Sequence, residues 1–239
     1  MASAIWPEGI RAAVSLTYDR PDTGALDVIL PGLSQNRLTA TFYIEPADVM
    51  LDIRRWREIA AQGHEIGNGG LLAAAKPDGS LPHWLLEPIS HCLDLAEECI
   101  EEVFPDQGDH SMAYPRGTPR CADGLDYREV VVATGLVARS GIEGFNAPQS
   151  CDIYYLARTS AGNLSAQDLI NLTCTAVERG LWMILVFESF GSEAGMTSVE
   201  AHFEYCAWLS EARDRVWVDT VIRAARAVEH AERSQLGLR

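Results

Sequence analysis

Gly63-His64-Glu65-Ile66-Gly67-Asn68-Gly69-Gly70-Leu71-Leu72-Ala73 is the stretch on which the reading of this chain turns. Its first half has the composition of the end of a short buried strand. Its second half falls where a strand end of an α/β enzyme presents chemistry, yet it holds two glycines and three aliphatic residues. None of these five carries a side-chain donor, acceptor or metal ligand. The stretch describes a catalytic scaffold in which some working residues have been replaced.

Working outward, the flanking sequence alternates between strand and helix patterns. Residues 12–18 (AAVSLTY) form an apolar, β-rich run of the kind buried in parallel sheets, closed by Asp19-Arg20-Pro21. A short helix is expected over 26–33 and a second strand over 39–44. An amphipathic helix follows over 52–62, stopped by Gly63. Downstream, 76–81 (KPDGSL) reads as a loop and 85–104 as a helix with an apolar stripe and an acidic, solvated face. Short strands are expected over 111–114 and 136–139, with a helix over 127–133 between them. Helices over 165–179, 199–211 and 220–230 surround strands over 181–187 (LWMILVF) and 215–218. No linker or repeat divides residues 1–239, so one α/β domain with about seven strands is expected, barrel-like or doubly wound. Chemistry in such folds gathers at the C-terminal ends of strands. Those positions are Asp19-Arg20, Asn68-Gly69-Gly70, Tyr114-Pro115-Arg116 and Glu188-Ser189.

Composition limits the partners. With 19 basic and 34 acidic residues the net charge is −15, which disfavours nucleic acid and anionic membrane surfaces. The six cysteines show no Cys-x-x-Cys spacing and read as buried thiols of a reducing compartment. The first residues lack a basic segment followed by an apolar run, and no apolar stretch reaches the roughly 20 residues of a membrane span. A cytoplasmic protein acting on a small molecule is the resulting expectation, with a homo-oligomer left open.

Taken in order, the strand ends resemble the polysaccharide deacetylase family (NodB-homology domain, carbohydrate esterase family 4). Ser15-Leu16-Thr17-Tyr18-Asp19-Arg20 is similar to the family's Thr-Phe-Asp-Asp-Gly motif, and Ala40-Thr41-Phe42-Tyr43-Ile44 to its Ala-Thr-Phe-Phe strand. Residues 63–68 match the lead-in to its His-Thr-x-x-His motif. Ala113-Tyr114-Pro115-Arg116-Gly117 resembles the third motif, and Ile184-Leu185-Val186-Phe187-Glu188 the last strand, which normally ends in His. Val216-Trp217-Val218-Asp219-Thr220 fits the closing segment. The resemblance implies a distorted (β/α) barrel. It also implies a site in which one aspartate is the catalytic base, a second binds a divalent metal with two histidines, and a further histidine protonates the leaving amine.

Carried over residue by residue, the base position is Asp19. The metal-binding aspartate is replaced by Arg20, the two histidines by Gly69 and Ala73, and the acid histidine by Glu188. No metal and no cofactor are therefore expected at this site. Asp19 and Glu188 are the expected catalytic pair, reaching opposite sides of one cavity. Glu188 is either a proton donor or the partner of Arg116 or Arg20. Substrate contacts are expected from Arg20, Tyr114, Arg116, Asn68, Gly69, Gly70 and Arg158; the last resembles a family arginine that supports the base. His64 reads as a buried structural histidine, and the other histidines show no metal-site spacing. Three functions follow: metal-independent hydrolysis of a carbon–nitrogen bond; proton-transfer chemistry such as isomerisation, elimination or ring closure on an acidic or sugar-like small molecule; or ligand binding without catalysis.

Overall fold

The computed structural model describes residues 5–70, 86–121 and 124–237. Its strands are β1 (Ala12–Asp19), β2 (Thr41–Ile44), β3 (Glu65–Asn68), β4 (Ser111–Ala113), β5 (Val137–Glu143), β6 (Leu156–Ser160), β7 (Trp182–Phe187) and β8 (Val216–Val218). Its helices are α1 (Thr23–Gln35), α2 (Pro46–Leu51), α3 (Ile53–Ala61), α4 (Leu86–Val103), α5 (Arg128–Thr134), α6 (Ala166–Arg179), α7 (Val199–Glu211) and α8 (Val221–Gln235). Every strand pairing is parallel, and β1 to β7 close into a ring because β1 bonds both β7 and β2.

The ring is split along one edge of β1. The first half of β1 pairs there with β8, from Ala12↔Val216 to Val14↔Val218, and its second half with β2, from Thr17↔Thr41 to Asp19↔Tyr43. The first turn of α8 enters the split. Its otherwise unsatisfied amides are taken up by strand side chains: Val221 N–H donates to Thr41 Oγ1 (2.9 Å) and Ile222 N–H to Glu65 Oε2 (3.0 Å). This is the distortion of the barrel.

Side-chain alternation divides each strand between two environments. Val14, Leu16 and Tyr18 of β1 join Ile29 and Leu33 of α1, Phe42 of β2 and Leu185 and Phe187 of β7 in the main core under the helices. Ala13 packs with Trp182, Ile184, Val221 and Ile222 in a second cluster. Helix ends follow local sequence. Ser165 and Asp168 cap α6 reciprocally, and Gly180 stops it in the left-handed conformation at φ 70°.

Three expectations need correction. β6 is absent from the expected strands, because Leu-Ala-Arg-Thr-Ser is half-buried beyond its first residue and lacks an apolar run. The short α2 after Pro46 is likewise an addition. α1 extends over Thr23–Gln35 with Pro31 inside it. The expected 76–81 loop lies outside the described residues.

Candidate active site

β1 delivers Asp19 to the C-terminal end of the ring, where its side chain remains 30% exposed. One nitrogen of Arg139, from β5, straddles the carboxylate: Nη2 donates to Oδ1 at 2.8 Å and to Oδ2 at 2.6 Å. Arg139 is buried, its guanidinium carbon 4.9 Å from the centre of the Tyr43 ring. Burial opposes its charge most strongly, but Asp19, with Tyr43 and Glu188, together outweigh it and raise its pKa above the ordinary arginine value.

Beneath Arg139 the barrel holds a polar pillar. The Tyr43 hydroxyl meets Ser111 Oγ at 2.8 Å, and the Ser111 hydroxyl and amide both donate to Glu65 Oε1 at 2.6 Å. Glu65 Oε2 accepts from Thr41 Oγ1 at 2.7 Å and from the first turn of α8. Burial, and then the negative Glu65, raise the Tyr43 pKa, so the phenol stays protonated. Gly67 makes room for the ring: a Cβ there would lie 2.8 Å from Tyr43 Cδ1 and from the Ser111 carbonyl oxygen.

Glu188 follows β7 directly. Because Tyr18 pairs with Phe187, Asp19 and Glu188 stand side by side on adjacent strands and not across the mouth. Glu188 is 59% exposed and bound to Arg158 Nη1 at 3.0 Å, while Arg158 Nη2 reaches Glu143 at 3.5 Å. Arg158 thus holds Glu188, and the arginine on Asp19 is Arg139. The sequence signal for Arg139 was a charge placed within the apolar run Leu136-Val137-Ala138-Arg139. The pillar of Tyr43, Ser111 and Glu65 was also missed, since each lies inside a run read as ordinary strand.

The remaining expected residues are placed as follows. Arg20 takes a left-handed backbone (φ 47°), and its guanidinium turns to Glu45 (3.0 Å) and Asp48 (3.2 Å) at the start of α2. Tyr114 is buried against Tyr127 and Tyr155, its hydroxyl donating to the Tyr154 carbonyl at 3.0 Å. Asn68 is buried too, donating to Glu97 Oε1 (2.6 Å) and accepting from Gly70 N–H (2.7 Å). Gly69 donates its amide to the Ile44 carbonyl, and a Cβ on it would sit 3.0 Å from the backbone of Ile44. The Arg116 side chain and Ala73 lie outside the described residues. His64 is buried, as expected, its Nδ1 accepting from Ala40 N–H at 3.2 Å.

The family's divalent metal does not fit this donor set. A guanidinium committed to two carboxylates replaces one ligand, and a glycine whose Cβ would press tightly on the Ile44 backbone at 3.0 Å replaces another. Among the described residues no group of three or more His, Cys, Asp or Glu is placed to hold a metal ion.

A parallel seven-stranded ring, split beside β1 and carrying a carboxylate at the end of that strand, is a (β/α) barrel of the polysaccharide deacetylase type. Solved structures agree across nearly the whole chain. A putative polysaccharide deacetylase from Mycobacterium smegmatis is similar at 17% identity and TM-score 0.60, covering 95% of this chain and 93% of that one. Puue allantoinase is similar at 12% identity and TM-score 0.59, with 94% and 92% covered. Peptidoglycan deacetylase PdaC from Bacillus subtilis is similar at 13% and TM-score 0.54, with 96% and 98% covered. At these identities the likeness is one of fold. No family model and no curated protein matches the sequence. No helix among the described residues is long and apolar enough to cross a membrane.

Proposed function

We propose that this chain is a hydrolase of carbon–nitrogen bonds that acts on a small intracellular amide without the divalent metal of the deacetylases. The observation that carries the reading is Asp19, gripped from below by one buried arginine nitrogen yet still open to solvent at the strand ends. Arg20 does not wall it off, being drawn away to Glu45 and Asp48.

In this reading Asp19 takes a proton from water as the water oxygen attacks the amide carbonyl. Of the Arg139 nitrogens, Nε is buried and Nη2 holds Asp19, so in this reading Nη1 stabilises the negative charge developing on the carbonyl oxygen. The proton then passes to the departing nitrogen, directly from Asp19 or through Glu188 one strand away. The products are a carboxylate and an amine. Around the mouth, Arg20, Arg139 and Arg158 are bound by Asp19, Glu45, Asp48, Glu143 and Glu188. Carboxylates outnumber arginines in that set, which favours a neutral or sugar-like substrate over an acidic one. An allantoinase among the structural neighbours supports a small substrate on this fold.

A non-catalytic binding protein is the second reading, favoured by the exposed Glu188–Arg158 ion pair, which resembles a fixed contact more than a proton donor. The test is to incubate chelator-dialysed protein with N-acetylglucosamine oligomers, allantoin and simple acyl amides, with products followed by mass spectrometry. Turnover that resists chelator and falls at least about 100-fold in Asp19→Asn is expected. No product from any of them, or turnover that survives Asp19→Asn, removes the hydrolase reading.

A further inference from the structure

On the face opposite Asp19, at the N-terminal ends of the strands, the chain forms a cleft of about 590 Å³. Its walls come from α3, the residue before β3, the connection from α4 to β4, and the first turn of α8. Arg57 and Arg223 reach it from two different helices, and Ala60, Phe104 and Pro105 give it an apolar lining. Asp219 pairs with the guanidinium of Arg223, and the acidic residue on the wall itself is Asp106.

Neither arginine is used up by the protein. Arg57 donates through Nε to the Val103 carbonyl at 3.1 Å, and Arg223 through Nη1 to Asp219 at 3.1 Å. Their other N–H groups have no protein partner among the described residues. His64 lines the same cleft, 5% exposed, with its Nδ1 occupied as an acceptor from Ala40 N–H. The neutral ring therefore carries its proton on Nε2, a donor with no protein acceptor among the described residues. Burial, then the nearby Arg223, lowers the His64 pKa to about 4, so this donor form persists through the neutral range. The wall beside it is rigid. The Gln107 side chain accepts from Ile66 N–H at 2.6 Å and donates to Ile66 C=O at 2.9 Å, continuing the edge of β3.

We infer that this cleft is a second ligand site, taking a small molecule with an oxyanion head on a compact apolar body. Arg57, Arg223 and His64 bind the head, and the surface of Ala60, Phe104 and Pro105 covers the body. Fork-shaped guanidinium groups suit carboxylate and phosphate alike, and a buried neutral N–H donor adds direction without adding charge. The site is independent of the reaction at Asp19.

Isothermal titration calorimetry with phenyl phosphate, phenylacetate and benzyl alcohol as probes tests it on the full chain. One oxyanion probe is expected to bind with 1:1 stoichiometry. Arg57→Gln and Arg223→Gln should each weaken it at least about tenfold, equivalent to about 1.4 kcal/mol. Arg54→Gln, on the same helix but paired with Glu58 in solvent, should leave it unchanged. All three arginines are exposed, so the variants are expected to melt with the parent. Tighter phenyl phosphate identifies a phosphate head, and tighter phenylacetate a carboxylate. Benzyl alcohol binding as well as the anions overturns the proposal. So does the absence of binding up to about 10 mM, or binding that both Arg57→Gln and Arg223→Gln retain.

Discussion

Replacing Glu65 by glutamine changes one buried oxygen into an NH2 group and leaves the shape intact, yet it should destabilise the barrel strongly. The carboxylate accepts four hydrogen bonds, two at each oxygen. On Oε1 one donor is the Ser111 amide, and on Oε2 one is the Ile222 amide; neither can reverse its direction. The Ser111 and Thr41 hydroxyls can turn to accept, but the two backbone amides cannot. Whichever way the substituted side-chain amide is oriented, its NH2 meets a buried backbone N–H head-on. An unsatisfied buried donor costs about 1–3 kcal/mol, and the surviving bonds lose the extra strength of bonding to a charged acceptor. The first turn of α8 also loses the negative charge at its positive end. Together these come to about 3 kcal/mol. In a chain of 239 residues, at roughly 2–4 °C per kcal/mol, the melting temperature should fall by about 6–12 °C. Thermal unfolding followed by circular dichroism reads this directly. Glu58→Gln, an exposed change on α3, is the control and should stay within about 0.5 kcal/mol of the parent. Amide exchange at Ile222 should accelerate in Glu65→Gln. A variant that melts within about 2 °C of the parent would refute the claim that the four donors are fixed on an accepting carboxylate.

Arg139→Gln should cost about 2–4 kcal/mol, below the full cost of breaking a buried ion pair because Asp19 keeps access to water; a double-mutant cycle with Asp19→Asn should give a coupling of at least about 1 kcal/mol, and additive losses would show that the pair is not coupled. Burial lowers the pKa of His64 and of His202 to about 4, so each binds its proton more weakly folded than unfolded. The stability this represents is present above about pH 6.5 and lost as pH falls toward 4, by up to roughly 3 kcal/mol per histidine. His110, whose pKa the Glu97 carboxylate raises against burial, contributes with the opposite sign as pH rises above about 6.5. Urea midpoints that do not fall between pH 6.5 and 5 would contradict the assignment. Restoring the family ligands by Arg20→Asp, Gly69→His and Ala73→His should yield neither stoichiometric metal on elemental analysis nor deacetylation of N-acetylglucosamine oligomers, because a side chain at 69 must push the Ile44 backbone aside; either result would show that β2 yields easily.

The barrel was legible because strands buried on both faces are written in continuous apolar runs, as in residues 12–18 and 181–187. β6 escaped that rule because its residues after Leu156 are only half-buried. Asp19 and Glu188 were legible as strand-end positions of a known motif. What holds them was not. Motif alignment associated Arg158 with the base, but register decides the matter: β5 brings Arg139 under Asp19, while β6 brings Arg158 beside Glu188. Nor does one-dimensional spacing reveal that Tyr43, Ser111 and Glu65, on three consecutive strands of the ring, meet inside it. The loss of metal ligands was visible as missing atoms, whereas the closing of their space against Ile44 was not.

The pillar also has a timetable. Glu65 and its partner Ile222 are 157 residues apart in the chain. At synthesis rates of about 5–20 residues per second, roughly 8–30 s separate their emergence. Throughout that interval β1 to β7 can assemble one after another, but the Glu65 carboxylate lacks the amide that completes its shell. The split beside β1 also lacks the helix turn that fills it. The support under Arg139 is thus completed only when the last tenth of the chain arrives, so an otherwise ring-forming nascent chain holds an unfinished site. Premature termination before α8 would leave the Glu65 carboxylate short of a donor inside the barrel and the split beside β1 unfilled, so the truncated product is expected to be less stable than the full chain.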